Sequence, residues 1–261
     1  MKPLAPKPPT FWALPGLLII YGRALDADAH KHQAIQLVLG DASCSTTTES
    51  LLGSVLINSQ VEHKLLMDQG WLLLIEPKSA LGKGLQAQLL GRDVCALQWP
   101  PSSQLPELPV PQAEDDPLRL LAPFFEAMFK LGLQADLQDL KLSAQPQVDD
   151  PRIARLLEKL NACPRGQCLK PTGWKAADVA AELALSEGRF LHLFKQELGL
   201  PWRPFLLWYR LLCAIQAMLQ GNSATEAAYL AGFSDSAHLS RTFRNLFGLS
   251  IRDAQAIFSQ P

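Results

Sequence analysis

An excess of charge, a long apolar run and a paired set of cysteines are all missing from this sequence, and each absence removes a class of protein. Its 24 Lys+Arg and 25 Asp+Glu leave a net charge of −1, so the overall balance marks no polyelectrolyte binder. The opening MKPLAPKPPTFWALPGLLIIYG has one short apolar run, broken by Pro15 and Gly16 and followed by no small-residue cleavage site. It reads as neither a signal peptide nor a membrane span, and a cytoplasmic location is expected. The five cysteines, Cys44, Cys95, Cys163, Cys168 and Cys213, are odd in number and scattered, which fits reduced thiols rather than a disulfide framework. CPRGQC has no second Cys or His pair near it, so Cys163 and Cys168 read as ordinary thiols rather than a zinc site.

What is present is apolar material enough for a core in each of two domains: 48% of 261 residues are hydrophobic, which leaves no place for a disordered or fibrous class. The near-neutral charge also conceals a split. Residues 1–149 carry 11 Lys+Arg against 16 Asp+Glu, whereas residues 150–261 carry 13 against 9. The positive half is the one a nucleic acid would meet.

That half contains a motif twice. From Ala227 to Gly248, AAYLAGFSDSAHLSRTFRNLFG reads as two helices joined by a tight turn. Gly232 stands where the turn needs a positive φ, and Ser234 is the expected N-cap of a second helix with Asp235 in its first turn. Leu239, Phe243, Leu246 and Phe247 recur at helical spacing and should be buried. Ser236, Ala237, Ser240, Arg241 and Arg244 fall on the opposite side. Small side chains let such a face approach the floor of a major groove, and arginine offers a fork of donors to guanine or phosphate. Taken singly, this would read as an amphipathic helix with solvated arginines. Val179 to Gly199, VAAELALSEGRFLHLFKQELG, repeats the pattern: Ala180 aligns with Ala228 and Ser186 with Ser234. After one extra residue Phe190 aligns with Leu239, Phe194 with Phe243, Lys195 with Arg244 and Gly199 with Gly248. An internal duplication this regular argues for an architecture rather than an accident. The outward stripe of the first repeat is then Gly188, Leu191, His192 and Lys195.

GFSDSAHLSRTFRNLFGLS, FLHLFKQELGL and the intervening FLLWYRLLCAIQAML resemble the DNA-binding domain of the AraC/XylS family of bacterial transcription regulators, over about the last hundred residues. Trp202 and Ile251 stand where that family usually has proline, Ala227 replaces a larger aliphatic, and the first turn has Ala184. The resemblance implies two helix-turn-helix units held by a long helix over Pro201–Leu219. Asp149, Asp150 and Pro151 should start the domain's first helix, PRIARLLEKLNA, and Trp174 should anchor its core.

Upstream, short apolar runs at Leu17–Tyr21, Ala34–Leu39, Leu51–Ile57, Trp71–Ile75, Leu85–Leu90 and Val94–Trp99 suggest an antiparallel sandwich or barrel. His30 and His32 are two apart, hence on one strand face, with Gln36 on the same face, and His63 follows downstream. The set resembles that of the cupin barrel which AraC-type regulators often carry, where a His-x-His pair, a Glu or Gln and a later His converge. The expected fold is α+β: a cupin-like barrel or sandwich with a Pro-rich exit strap over 1–117, a helical segment over 118–148, and an all-α domain over 149–261. Leu118–Leu131 and Leu133–Leu142 are expected helices with surplus apolar surface, which either pair two subunits into a homodimer or pack on their own barrel.

The reading that follows is a regulator that binds double-stranded DNA, responds to a small-molecule effector and, by the resemblance, works with RNA polymerase and apart from any membrane. His30, His32, Gln36 and His63 are the candidate effector contacts. The same four residues are the candidate ligands of a divalent metal, which would make the protein a metal-sensing regulator or, further afield, a cupin metalloenzyme with a DNA-binding tail. No catalytic set is expected.

Overall fold

The computed structural model describes residues 11–97, 109–112, 115–133, 144–162 and 174–258. It divides into two compact units, residues 1–145 together with 243–261, and residues 146–242. Most of the Pro-rich strap, most of the expected helix over Leu133–Leu142, and the Cys163 and Cys168 loop lie outside the described residues.

The first unit is built on an antiparallel sheet of β1 (Phe11–Leu14), β2 (Leu17–His30), β3 (Ile35–Ser45), β4 (Ser50–Leu52), β5 (Val55–Ile57), β6 (His63–Ile75) and β7 (Val94–Ala96). The strand order is β1-β2-β6-β3-β5-β7, with β4 paired to β3. LLIIY, WLLLI and, Gln36 apart, IQLVL are apolar without alternation because both of their faces are buried. Alternate residues of these runs share a core with Leu81, Leu85 and Leu89, and with Leu118, Leu121, Phe124, Phe125 and Met128. Leu81, Leu85 and Leu89 lie on and just after α1 (Ala80–Gln88), so the apolar run Leu85–Leu90 belongs to a helix and not to a strand. Its cause is spacing: Leu81, Leu85 and Leu89 recur every four residues, and the Ser79 hydroxyl accepts from the Gly82 N–H at 2.9 Å as an N-cap.

The other five residues belong to α2 (Pro117–Lys130), capped by Asp116. Sequence alone left its surplus apolar surface open between a subunit interface and its own barrel. Leu121, Phe124 and Phe125 are at most 1% exposed in the core of their own unit, whereas Phe129 is 54% exposed.

The second unit starts with α3 (Pro151–Ala162), as the Asp-Asp-Pro start signal predicts. Asp150 accepts from the Arg152 backbone and holds its guanidinium with two bonds, at 3.0 and 2.7 Å. That grip keeps the Asp150 carboxyl down at about 2. Then come α4 (Ala176–Glu182), α5 (Glu187–Leu198), α6 (Trp202–Leu219) and α7 (Ala224–Leu230), followed by α8 (Ser236–Phe247) and α9 (Ile251–Phe258), α8 crossing the boundary between the units. Trp202, not Trp174, is the anchor. It is 1% exposed, and its indole meets Phe190 and Phe194 edge-on at 5.3 and 5.0 Å. Trp174 is only partly buried and lends its carbonyl to the Trp202 indole N–H at 3.2 Å. A position where the resembled family has proline is thus the centre of an aromatic core.

The duplication survives at atomic level. In the first turn the Leu185 N–H donates to the Ala180 carbonyl at 2.8 Å, and in the second the Phe233 N–H donates to the Ala228 carbonyl at 2.9 Å. Each such six-residue closure wraps a helix end around a left-handed residue, Ala184 at φ 54° and Gly232 at φ 77°. The side chain of Ala184 disfavours that conformation by about 1–2 kcal/mol. Ala184→Gly therefore raises the unfolding free energy by roughly 0.5 kcal/mol or more after the larger entropy of the unfolded glycine chain is subtracted. A urea titration measures this, and a loss of stability would contradict the left-handed assignment.

Candidate nucleic-acid interface and histidine cluster

The two outward stripes occur where the spacing placed them. On α5, Gly188, His192 and Lys195 are exposed while Leu191 is half-buried, packed at the edge of the core. On α8, Ala237, Ser240, Arg241 and Arg244 are exposed and Ser236 is half-buried. Beneath them Leu239 and Phe243 are buried, but Leu246 and Phe247 are only partly so. The N-cap of α8 is one residue later than the sequence suggests. Asp235, not Ser234, accepts from the His238 N–H at 2.6 Å, and the Ser234 hydroxyl donates to Asp235. The extra residue of the second repeat therefore lies in the turn, and Asp235 is the counterpart of Ser186, whose hydroxyl caps Arg189 N–H at 3.3 Å. Sequence reasoning also passed over Arg189, which is exposed on the first turn of α5 and adds a cation there.

Arg244 is engaged within the first unit. Its guanidinium donates to the Asp28 carboxylate at 3.2 Å, with both side chains about two-thirds exposed at 64% and 67%. The Asp28 N–H donates to the Gly248 carbonyl at 3.0 Å. Gly248, at φ 69°, lets the chain pass so close that a Cβ there would lie 2.3 Å from the Asp28 carbonyl oxygen and 2.7 Å from His30 Nδ1. An exposed pair of this kind is worth at most ~1 kcal/mol and leaves the arginine available to a phosphate.

The histidines converge, by a route the sequence did not reveal. His30 ends β2 and faces His63, the first residue of β6, across the ladder. His32 lies past the strand end in the connection to β3, where Gln36 sits. His30 and His32 therefore do not share a strand face by alternation. An irregularity in the register between Ala27 and His30 re-aims the strand end, and the connection folds His32 back. Ring centroids are 4.3 Å apart for His30 and His63, 5.6 Å for His32 and His63, and 5.7 Å for His30 and His32. His30, His32, Gln36 and His63 are all buried. Each imidazole places Nδ1 on a backbone carbonyl: His30 on Asp28 at 2.8 Å, His32 on Ala34 at 3.0 Å and His63 on Val61 at 3.0 Å. His32 Nε2 is 2.6 Å from Gln36 Oε1. A half-turn of that amide would bring its NH₂, buried and otherwise unpartnered, onto the Nε2 lone pair. A surface depression of about 200 Å³, lined by Ala29, Ser45, Thr46, Thr47, Glu62, His63 and Lys64, opens beside the cluster.

A helix-turn-helix family model matches residues 179–256, the segment holding both repeats. That match covers the C-terminal part of the chain. YidL of Escherichia coli K12, an uncharacterized HTH-type transcriptional regulator, is 37% identical over 76 residues, 29% of this chain and 26% of that protein. The chain thus matches about a quarter of that relative's length. Two crystal structures of ToxT from Vibrio cholerae share the fold along both chains. The apo form of a Lys-to-Ala variant has a TM-score of 0.53 at 16% identity, covering 93% of this chain and 98% of its own. The O395 protein has 0.50 at 14% identity, covering 94% and 99%.

The described cysteines are buried, and burial pushes Cys44 up to about 11 and Cys213 up to about 12, so neither is a reactive thiol at neutral pH. Among the described residues no helix is long and apolar enough to cross a membrane.

Burial depresses His30, His32 and His63 to about 4 each, from an ordinary 6.5. The unfolded chain therefore takes up protons first as pH falls, and stability drops between pH 6.5 and 4 by up to ~1.4 kcal/mol per pH unit for each histidine. Glu76 opposes this. Burial raises it to about 7, so the folded chain keeps that proton and its contribution is lost as pH rises from 4.5 through 7. Three groups outweigh one, and denaturant stability of the full chain should be lower at pH 5 than at pH 7. A flat profile over that window would mean the histidines are not buried neutral.

Proposed function

We propose that this chain is a sequence-specific transcription regulator that binds double-stranded DNA through its two helix-turn-helix units and answers to a small-molecule effector held in its N-terminal unit. The observation that carries the DNA reading is the duplicated motif with a second helix exposing Ser240, Arg241 and Arg244 above a buried Leu239 and Phe243. Two such helices suit successive major-groove segments about 10 base pairs apart, so that one chain reads an asymmetric half-site. Ser240 and Arg241 offer donors to base edges, while Lys195 and Arg244 suit phosphates. The first helix offers less: Gly188 reads nothing and Leu191 can only touch a thymine methyl. The effector site in this reading is His30, His32, Gln36 and His63, reached from the adjoining depression. The protein acts in the cytoplasm by binding rather than turnover, and RNA polymerase is its downstream partner.

Arg241→Ala should weaken binding to a selected operator by roughly 1 to 3 kcal/mol and relax preference at one base pair, whereas Arg244→Ala weakens all DNA about equally. Fluorescence anisotropy on operator and random duplexes separates the two. Equal losses on both duplexes for Arg241→Ala would reduce that residue to a phosphate contact, and a stronger sequence preference in the half-site of the first repeat would reverse the assignment of roles.

The reading includes a homodimer through α2, for which the exposed Phe129 and Leu131 are the available apolar surface. Phe129→Glu should give folded monomers in sedimentation at micromolar concentration. Phe125→Glu should instead unfold the chain, since it places a charge in the core, and a wild type already monomeric would remove the dimer.

A further inference from the structure

The end of β2 and the starts of β6 and β3 bring together more buried polar atoms than the protein satisfies. Among the described residues His63 Nε2 and Gln36 Nε2 have no hydrogen-bond partner, although both are buried away from water. The three imidazoles are 6%, 2% and 2% exposed for His30, His32 and His63, and one ring nitrogen of each lies within 4.8 Å of the others. A neutral imidazole has one N–H. In each ring that proton is committed to a backbone carbonyl, through the Nδ1 bonds to Asp28, Ala34 and Val61. All three rings thereby keep the lone pair on Nε2, and each is locked in tautomer and orientation. Such a bond from the far ring nitrogen is what orients metal-ligating histidines generally. The flanking side chains gave no hint of it because the acceptors are main-chain oxygens. A set that served only packing would not need three imidazoles of one tautomer facing one another.

We propose that His30, His32 and His63 bind a divalent transition-metal ion through Nε2, with the amide oxygen of Gln36 or a water as a further ligand. The proposal deepens the reading of the N-terminal unit as the ligand-sensing part by naming the chemical class of its ligand. Imidazole nitrogens select zinc, nickel, cobalt or ferrous iron over magnesium and calcium, which require oxygen. At metal–nitrogen bonds of about 2.0–2.1 Å two nitrogens on one ion lie at most about 4 Å apart, so the rings must close up from their present spacing of up to 4.8 Å. Gln36 releases His32 Nε2 and turns its oxygen toward the ion. The donor set carries no charge, so the site holds its ion more weakly than one containing a carboxylate. Reversible loading suits a sensor.

The full chain, stripped with a chelator, is titrated with cobalt(II) and zinc(II) in the absence of DNA, following visible absorption and bound metal per chain. The expected result is one ion per chain, with the spectrum of nitrogen and oxygen ligation and without the near-ultraviolet charge-transfer band that a cysteine thiolate would add. Zinc should displace the cobalt and raise the thermal midpoint. His63→Gln and His30→Gln should each lower affinity by roughly 100-fold or more, while Gln36→Glu should raise it about tenfold by supplying the missing negative charge. The last variant keeps the question decidable if either histidine variant fails to fold. Unchanged stoichiometry in the folded histidine variants, a thiolate band, or no binding by the folded wild type overturns the proposal. None of these readouts involves DNA, so failure here leaves the regulator reading standing, and failure to bind DNA leaves the metal site standing.

Discussion

The register of one ladder governs the N-terminal unit. β2 and β6 pair from Leu17 opposite Ile75 to His30 opposite His63. At one end that register buries Leu17, Ile19, Leu73 and Ile75 against α1 and α2. At the other end an irregularity between Ala27 and His30 shifts the pairing by one and brings the two tilted imidazoles together. Because side chains alternate, a slip by one residue in the core would turn the whole apolar set to the wrong face, so packing fixes the ladder as far as Ala27 opposite Leu65. The cluster then needs two further features, the irregularity that re-aims His30 and the short connection that returns His32.

In the helical unit the equivalent constraint is the turn. A left-handed residue and a six-residue hydrogen-bonded closure set the angle between the two helices of each motif, and this geometry is kept although Ala184 replaces glycine in the first copy. The closure is therefore determined by tertiary packing, here of Val179, Ala180, Phe190 and Phe194 in one core with Trp202, and not by the local preference of the turn residue. The second turn absorbs one more residue and compensates by moving the cap from a serine hydroxyl to the Asp235 carboxylate.

The legible parts were those with a period. Both outward stripes, Gly232 in its turn, the start of α3 and most strands follow from apolar spacing and cap chemistry. What escaped was set at a distance. Leu85–Leu90 has strand-like composition but helical spacing, and the Ser79 cap decides it. Trp174 and Trp202 are equally apolar in sequence, and only the packing shows which one fills the centre. His30, His32, Gln36 and His63 do come together, but not by alternation along one strand: His30 and His63 meet through pairing, His32 through a connection. Main-chain carbonyls as their partners have no sequence signature at all.

The interaction least visible in the sequence is also the most asymmetric in consequence. Arg244 and Asp28 are 216 positions apart, and each is about two-thirds exposed. Water screens such a pair to a small net value, so it fixes nothing by itself. The backbone bond from Asp28 to Gly248 and the close approach of Gly248 to His30 are different in kind. They are short-range and intolerant of a side chain at Gly248. Any ligand that displaced His30 would disturb the seat of Gly248 directly, through packing that cannot deform gradually, while the Arg244 carboxylate bond would yield to a phosphate at little cost. Within this unit the weak ionic contact is therefore the replaceable part, and the tight backbone contact beside His30 is the part that a displaced His30 would strain.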